Sequence, residues 1–330
     1  MAVDTPAPTT DRAHDTRRWL RRNVQVLSIA AILLVLFTFF SVATDAFITP
    51  ENLVNVGRQI APTVIVAVAM TFVITTGQID LSVGSILALS ASAIAIIAES
   101  QFWIIALSAA LLIGVFFGLL NGYFSAYQAL PSFIVTLAGL TAIRGIALLI
   151  TQGYSTPIES EALLFLGQGQ FLGIYMPTWI ALIVALVGLY LFNMTRFGRY
   201  VTAVGSNGEA IRRAGVDIRR IKLMVLVMTG FAGALAGVLI AARLASGSSN
   251  SGVAFELEAI TAVVLGGTSL MGGRGTVVGS VLGALVLGVL ANGLVLMRVD
   301  VYWVPIMQGA ILLVAILANT RVLGRYVRAG

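Results

Sequence analysis

The stretch FWIIALSAALLIGVFFGLLNGYF, Phe102–Phe124, carries no charged residue and decides the class of fold. At a rise of about 1.5 Å per residue, a helix of this length crosses a hydrocarbon core of about 30 Å. A helix is also the form that satisfies its own backbone hydrogen bonds where no water is present. Working outward, runs of the same character precede it at Val24–Thr44, Gln59–Thr76 and Val83–Ala98. Six more follow at Ser132–Thr151, Pro177–Asn193, Ile221–Arg243, Ala259–Leu270, Val277–Met297 and Trp303–Asn319. The sequence therefore predicts an all-α integral membrane protein with about ten transmembrane helices.

Composition agrees. The chain is 58% hydrophobic and 10% charged, whereas a soluble domain carries about 25% charged residues. Too few polar side chains are present to cover a surface in water. The formal charge of +6 does not indicate nucleic acid, because most arginines stand in three short stretches between apolar runs; anionic lipid is a sufficient partner for them. With no cysteine in the chain, disulfides, thiolate metal sites and cysteine nucleophiles are excluded. The lone histidine, His14, falls in a polar N-terminal segment.

Charge also predicts the orientation. Ten crossings that start inside place the N-terminal arginines on the same side as Arg196, Arg199, Arg212, Arg213, Arg219, Arg220 and Lys222, and as Arg321, Arg325 and Arg328. The other side receives Asp45, Glu51, Glu99, Glu159, Glu161, Glu256, Glu258 and Asp300. By the positive-inside rule both termini are then cytoplasmic. The expected organisation is a disordered cytoplasmic leader over residues 1–22 and one transmembrane domain over 23–330. Two connections are long: 152–176, with no clear pattern, and 194–220, partly helical.

In the second connection, Ser206 followed by Glu209 reads as a capping box that starts a short helix, with Gly215 placed to end it. Ala210, Ala214 and Gly215 keep that helix slim, which suits insertion into a groove on a cytoplasmic partner; the alternative is an interfacial helix held to lipid. The break Gly77–Ser85 contains Asp80, and a carboxylate near hydrocarbon costs roughly 2.5–3.5 kcal/mol. Asp80 therefore caps the third span through the N–H of Ser82 or Val83, lines a polar path, or both. A second break, Gly266–Thr276, is dense in glycine. It lacks the Gly-Lys pair of a phosphate-binding loop, the only lysine being Lys222, and reads as a re-entrant turn or gate hinge. Arg144 stands alone inside the fifth run, where it snorkels, binds carbonyls of a neighbouring helix or meets a polar substrate. The spacings Gly114–Gly118–Gly122 and Gly230–Gly233–Gly237 predict close helix approach.

With these residues in place, the chain resembles the permease subunit of bacterial ABC importers for monosaccharides, of the ribose, xylose and galactose type. The residues that carry the likeness are Gly77–Ser85, the stretch Thr195–Lys222 with Ala203–Gly205 and Ala214–Val216, and Gly266–Gly275. It extends from about Asn52 to the C-terminus. Gln78 departs from the pattern, which has glycine there.

The resemblance implies a pore subunit that moves a ribose-like pentose or a hexose into the cytoplasm, located in the cell inner membrane and without an ATPase site of its own. Its implied partners are a second permease copy, a cytoplasmic ABC ATPase and an extracytoplasmic sugar-binding protein; ATP and Mg belong to the ATPase, and no cofactor is expected on this chain. The loop 195–222 becomes the ATPase-coupling segment, with Ser206, Asn207, Glu209, Ala210, Arg213, Gly215 and Val216 as its candidate residues. For the translocation path or gate the candidates are Gln78, Asp80, Ser82, Ser85, Asn121, Thr136, Arg144, Gly267 and Thr268. No metal site or catalytic residue is expected. The rival readings are a branched-chain amino-acid permease, an ion-coupled carrier and a membrane-embedded enzyme. Too few ionisable residues lie within the spans for the second, and the third lacks any catalytic constellation.

Overall fold

The computed structural model describes residues 12–100, 102–300 and 302–327. Among them are twelve helices: α1 (Arg12–Ala43), α2 (Pro50–Thr75), α3 (Val83–Ser100), α4 (Trp103–Ala126), α5 (Ser132–Thr151), α6 (Glu161–Gln168), α7 (Met176–Met194), α8 (Arg196–Arg213), α9 (Ile218–Leu244), α10 (Phe255–Leu265), α11 (Val277–Leu296) and α12 (Trp303–Val327). Seven of them are long and apolar enough to cross a membrane, and α3 and α12 carry shorter apolar segments. Each of the ten apolar runs read from the sequence carries a helix. The eighth is displaced: α10 begins four residues earlier than its run and ends at Leu265.

Two expectations need amendment. Helix α1 takes in Arg12–Arg22, the second half of the segment read as a leader, while residues 1–11 lie outside the described residues. The connection 152–176 is not patternless. It holds β1 (Thr156–Pro157), α6 and the hairpin of β2 (Gln170–Phe171) with β3 (Ile174–Tyr175). Strand β1 pairs with β4 (Ser246–Gly247), so the loop is pinned beside the end of α9.

Helix α2 is the axis of the molecule. Thr49 caps it, accepting from the Asn52 N–H, and Pro50 and Glu51 occupy its first turn, all favourable at a helix start. From Ile60 to Thr75 every residue is buried; a helix that is apolar all round belongs inside a bundle. Asn52 and Asn292 exchange amide hydrogen bonds at 3.0 Å in both directions and fasten α2 to α11.

Helices α4 and α9 approach through the predicted glycines. A Cβ at Gly114 would strike the Gly230 carbonyl, and one at Gly118 would strike Leu226 and Val227. Gly233 and Gly237 face α3, at Val83 and Leu87. Contact at this range replaces side-chain packing with backbone packing, the usual solution between membrane helices.

Candidate functional site

Gly77, at φ +77°, turns the chain out of α2 in a conformation that suits glycine. The five residues from Gln78 to Ser82 then run without helix before α3 begins. Asp80 is completely buried there. Its Oδ1 accepts from the Ser82 N–H at 2.9 Å and the Ser82 hydroxyl at 2.7 Å, and its Oδ2 accepts from the Thr229 hydroxyl of α9 at 2.5 Å. The local bond is the one the sequence predicts; Thr229 was not legible. A buried carboxylate is tolerated only when such donors surround it.

The network extends from Ser82. Its Oγ accepts from Asn121 Nδ2 of α4 at 2.9 Å. Gln78 Nε2 donates to Ser125 Oγ at 2.9 Å, and its Oε1 accepts from Thr76 at 3.2 Å. Thr136 donates to the Ile79 carbonyl at 3.3 Å, Ser132 Oγ accepts the Ile79 N–H at 3.1 Å, and Ser85 donates to the Leu140 carbonyl at 2.7 Å. The structure thus brings Gln78, Asp80, Ser82, Ser85, Asn121 and Thr136 together. All six are buried and partnered, so the cluster clamps the break to α4, α5 and α9.

Arg144 lies apart from that cluster. Its Nη1 donates to the Ser249 and Ser251 carbonyls at 2.5 and 2.7 Å, and its Nη2 to those of Gly84 and Gly252 at 3.2 Å. Of the three possibilities for this residue, the geometry matches the second: a tether on backbone carbonyls, here of the loop after β4 and the first turn of α3.

The glycine-rich break joins the first one. Gly267, Gly272 and Gly273 have φ of +88°, +80° and +75°, and the Oγ1 of buried Thr268 accepts the Thr276 N–H at 3.3 Å. The Gly273 N–H donates to the Thr75 carbonyl at 2.9 Å, on the last turn of α2. Gly272 rests against Gly77 and Gly205. A Cβ at Gly205 would collide with the Thr75 carbonyl and crowd the Gly273 nitrogen, and the Ser206 hydroxyl lies 3.4 Å from the Gly273 carbonyl. Helix α8 therefore touches both breaks at one point, a juxtaposition that three separate glycines do not disclose in sequence.

Beyond that junction α8 kinks at Asn207, at φ −157° and ψ 86°. The Asn207 Oδ1 accepts the Ala210 N–H at 3.0 Å, so Asn207 caps the piece 208–213 and Ser206 does not. Ser206 instead donates back to the Thr202 carbonyl at 2.9 Å. With the cap moved one residue, Glu209 no longer occupies the third helical position of a capping box. It accepts from Arg212 at 2.9 Å and Arg213 at 3.2 Å, and these bonds hold its carboxyl below the usual carboxylate range. Gly215 ends the piece as expected, at φ +83°. Its N–H bonds the Arg212 carbonyl and that of Val216 bonds Ile211, the double closure of a Schellman motif. Asn207, Glu209, Ala210, Arg213 and Gly215 are all exposed.

Comparison with known proteins places this architecture. Residues 52–316 match the family model described as branched-chain amino acid transport system / permease component. The ribose import permease protein RbsC of Haemophilus influenzae is 40% identical over 292 residues, covering 87% of this chain and 90% of that protein. RbsC of Escherichia coli K12 is 39% identical over 322 residues, covering 96% and 99%. The xylose transport system permease protein XylH of Haemophilus influenzae is 33% identical, covering 90% and 96%. No solved structure matches the chain.

Proposed function

The chain belongs to the permease-component family of branched-chain amino acid transport systems, and from that premise we propose that it is the pore subunit of an ATP-driven importer for a monosaccharide, a ribose-like pentose or a hexose. It is a multi-pass protein of the cell inner membrane. The relatives named as ribose and xylose permeases, matched over nearly their whole length, support the sugar. An ABC ATPase and an extracytoplasmic binding protein complete the importer, and a second copy of this chain forms the other half of the pore. ATP and Mg are handled by the ATPase.

In this reading ten helices cross the membrane, α6 and α8 lying in the connections, with both termini cytoplasmic. The exposed piece 208–213 is the coupling helix that seats in the ATPase. Asn207, Glu209, Ala210, Arg213, Gly215 and Val216 shape it, and Ser206 joins it to the gate. Gln78, Asp80, Ser82, Ser85, Asn121 and Thr136 hold the first break of the gate, Gly267 and Thr268 shape the second, and Arg144 holds the loop behind it.

One observation carries the mechanism: the contact of Gly205 with Thr75 and Gly273. Nucleotide-driven closure of the ATPase displaces the coupling helix. Because no side chain cushions the junction, that displacement passes directly to the end of α2 and to the glycine-rich break. Tight packing transmits movement of this kind rather than absorbing it.

The test is uptake of radiolabelled pentoses and hexoses by proteoliposomes holding the permease, ATPase and binding protein. Accumulation that requires enclosed ATP is expected. Uptake that persists without ATP and stops with an uncoupler would overturn the reading in favour of an ion-coupled carrier. Accumulation of leucine or valine instead of sugar would overturn its substrate.

A further inference from the structure

A second polar cluster lies at the other end of α2 from the junction, and the roles assigned so far do not use it. A cavity of about 520 Å³ opens between α2, α9, α10, α11 and α12, a size within the range of small-molecule sites. Its polar walls are Arg58, Gln59 and Thr63 of α2, Arg243 of α9, Glu258 of α10 and Gln308 of α12. Charged residues inside an apolar bundle are costly to keep and need a reason.

Their hydrogen bonding is incomplete. Arg58 is fixed in place, its Nη2 donating to Asn55 at 2.8 Å and its guanidinium lying 4.2 Å from the centre of the Tyr175 ring. Yet its Nε is buried with no partner. Glu258 Oε1 accepts from Thr63 at 2.8 Å, and its Oε2, which lines the cavity, makes no hydrogen bond or ion pair among the described residues. The Arg243 guanidinium makes no hydrogen bond or ion pair among the described residues, although it faces the same cavity as Glu258. Unused donors and an unused acceptor thus line one space, with Gln59 and Gln308 supplying both kinds. A buried Arg58 nitrogen without a partner, beside groups left open to the same space, marks a place where something else is bound.

The mixture of groups narrows what that is. An anion would suit Arg58 and Arg243 but would meet the Glu258 carboxylate, and a cation would meet two guanidinium groups. A neutral molecule whose hydroxyls both donate and accept suits all three. We propose that this cavity is the binding site at which the transported monosaccharide is held within the permease, with Glu258 accepting from its hydroxyls and Arg58 and Arg243 donating to them. The inference rests on the sugar-importer reading and adds the residues that contact the sugar.

The location fits a relay. Thr63 and Thr75 lie twelve residues apart on α2, about 18 Å along its axis. Helix α10 likewise carries Glu258 in its first turn and leads at its other end into the glycine-rich break. Two of the five helices that wall the cavity, α2 and α10, lead into the junction with α8.

The complete importer in proteoliposomes tests the site with Glu258→Gln, Thr63→Val and Gln308→Ala. Initial uptake is expected to fall about tenfold for Glu258→Gln, the scale of one buried charged contact, and the preference among pentoses and hexoses is expected to change in all three. ATP hydrolysis stimulated by loaded binding protein is expected to stay within about twofold of the wild type, as the coupling residues are untouched. Wild-type uptake with unchanged preference in all three variants would overturn the proposal. So would uptake and hydrolysis that fall in proportion at fixed preference, which is the mark of a folding defect. If the wild-type importer itself takes up no sugar, the functional reading beneath the proposal fails, and the site with it.

Discussion

The Gly273 amide donates to the Thr75 carbonyl at 2.9 Å, so the two interruptions in the helical bundle, nearly two hundred residues apart in sequence, share one hydrogen bond. Gly205 sits on that bond with no room for a side chain. The consequence is mechanical, because whatever moves α8 moves both breaks.

Gly205→Val therefore separates grip from transmission. The added side chain must displace the Thr75 carbonyl or the Gly273 backbone, and overpacking of this kind costs about 1–3 kcal/mol. The exposed piece 208–213 is left intact. Co-purification of the ATPase from detergent is expected to be preserved, while ATP-driven uptake falls at least about tenfold, the equivalent of 1.4 kcal/mol. Uptake at the wild-type rate would remove the junction from the mechanism.

Asp80 is the hub of the first break. Asp80→Ala leaves the Ser82 N–H, the Ser82 hydroxyl and the Thr229 hydroxyl without their acceptor, at about 1–3 kcal/mol for each buried group left unmet. Thr229→Val removes the donor to Oδ2 of the buried carboxylate and costs about 1.5–3 kcal/mol. In detergent, thermal unfolding followed by intrinsic fluorescence is expected to show a large loss for the first variant and a lesser one for the second. Equal, negligible shifts would show that the carboxylate is not structural.

Arg144 reaches four carbonyls, which a lysine cannot do from a single ammonium with three donors. Arg144→Lys is expected to loosen the loop Ser246–Gly252 while the charge is kept. Faster amide exchange confined to that loop and to the first turn of α3 would report the change. Exchange identical to the wild type would argue that the tether is dispensable.

On the coupling piece, Ala210→Arg adds bulk to an exposed helical position with no backbone strain. It is expected to abolish ATPase binding while membrane insertion and unfolding temperature are unchanged. Gly215→Glu is a harsher probe because Gly215 has φ +83°, so part of its effect is backbone strain of about 1–2 kcal/mol. Glu209 supplies the pH control. Its carboxyl is held below its ordinary value of 4.5 by Arg212 and Arg213, so its contribution is complete above that value and is lost as the pH falls through the lowered one. ATPase binding across neutral pH is expected to be flat with respect to this group, and a transition there would implicate another.

The helices on the ten apolar runs were legible because long apolar runs fold as helices in hydrocarbon, and Asp80 was legible because a carboxylate beside such a run needs donors. The glycines of α4 and α9 announced their own close approach. What the sequence hid was pairing between distant segments. Thr229 is an ordinary threonine until α9 lies against the break, and Gly205 an ordinary helical glycine until it meets Thr75. The cap slipped from Ser206 to Asn207 because both residue types cap well, and only the backbone at Asn207 decides between them. Arg58, Arg243 and Glu258 stand near the edges of apolar runs, and nothing in the sequence shows that five helices bring them to one cavity.

On the proposed mechanism the piece 208–213 faces the cytoplasm and is held by a separate motor. The chain contains no cysteine, so Ala214→Cys places a single reactive thiol on the exposed end of that piece. A membrane-impermeant maleimide is predicted to label it in inside-out vesicles, to leave it unlabelled in intact cells with a permeabilised outer barrier, and to be blocked when the ATPase is bound. Labelling from the outer face of intact cells would contradict the orientation, the partner and the mechanism together.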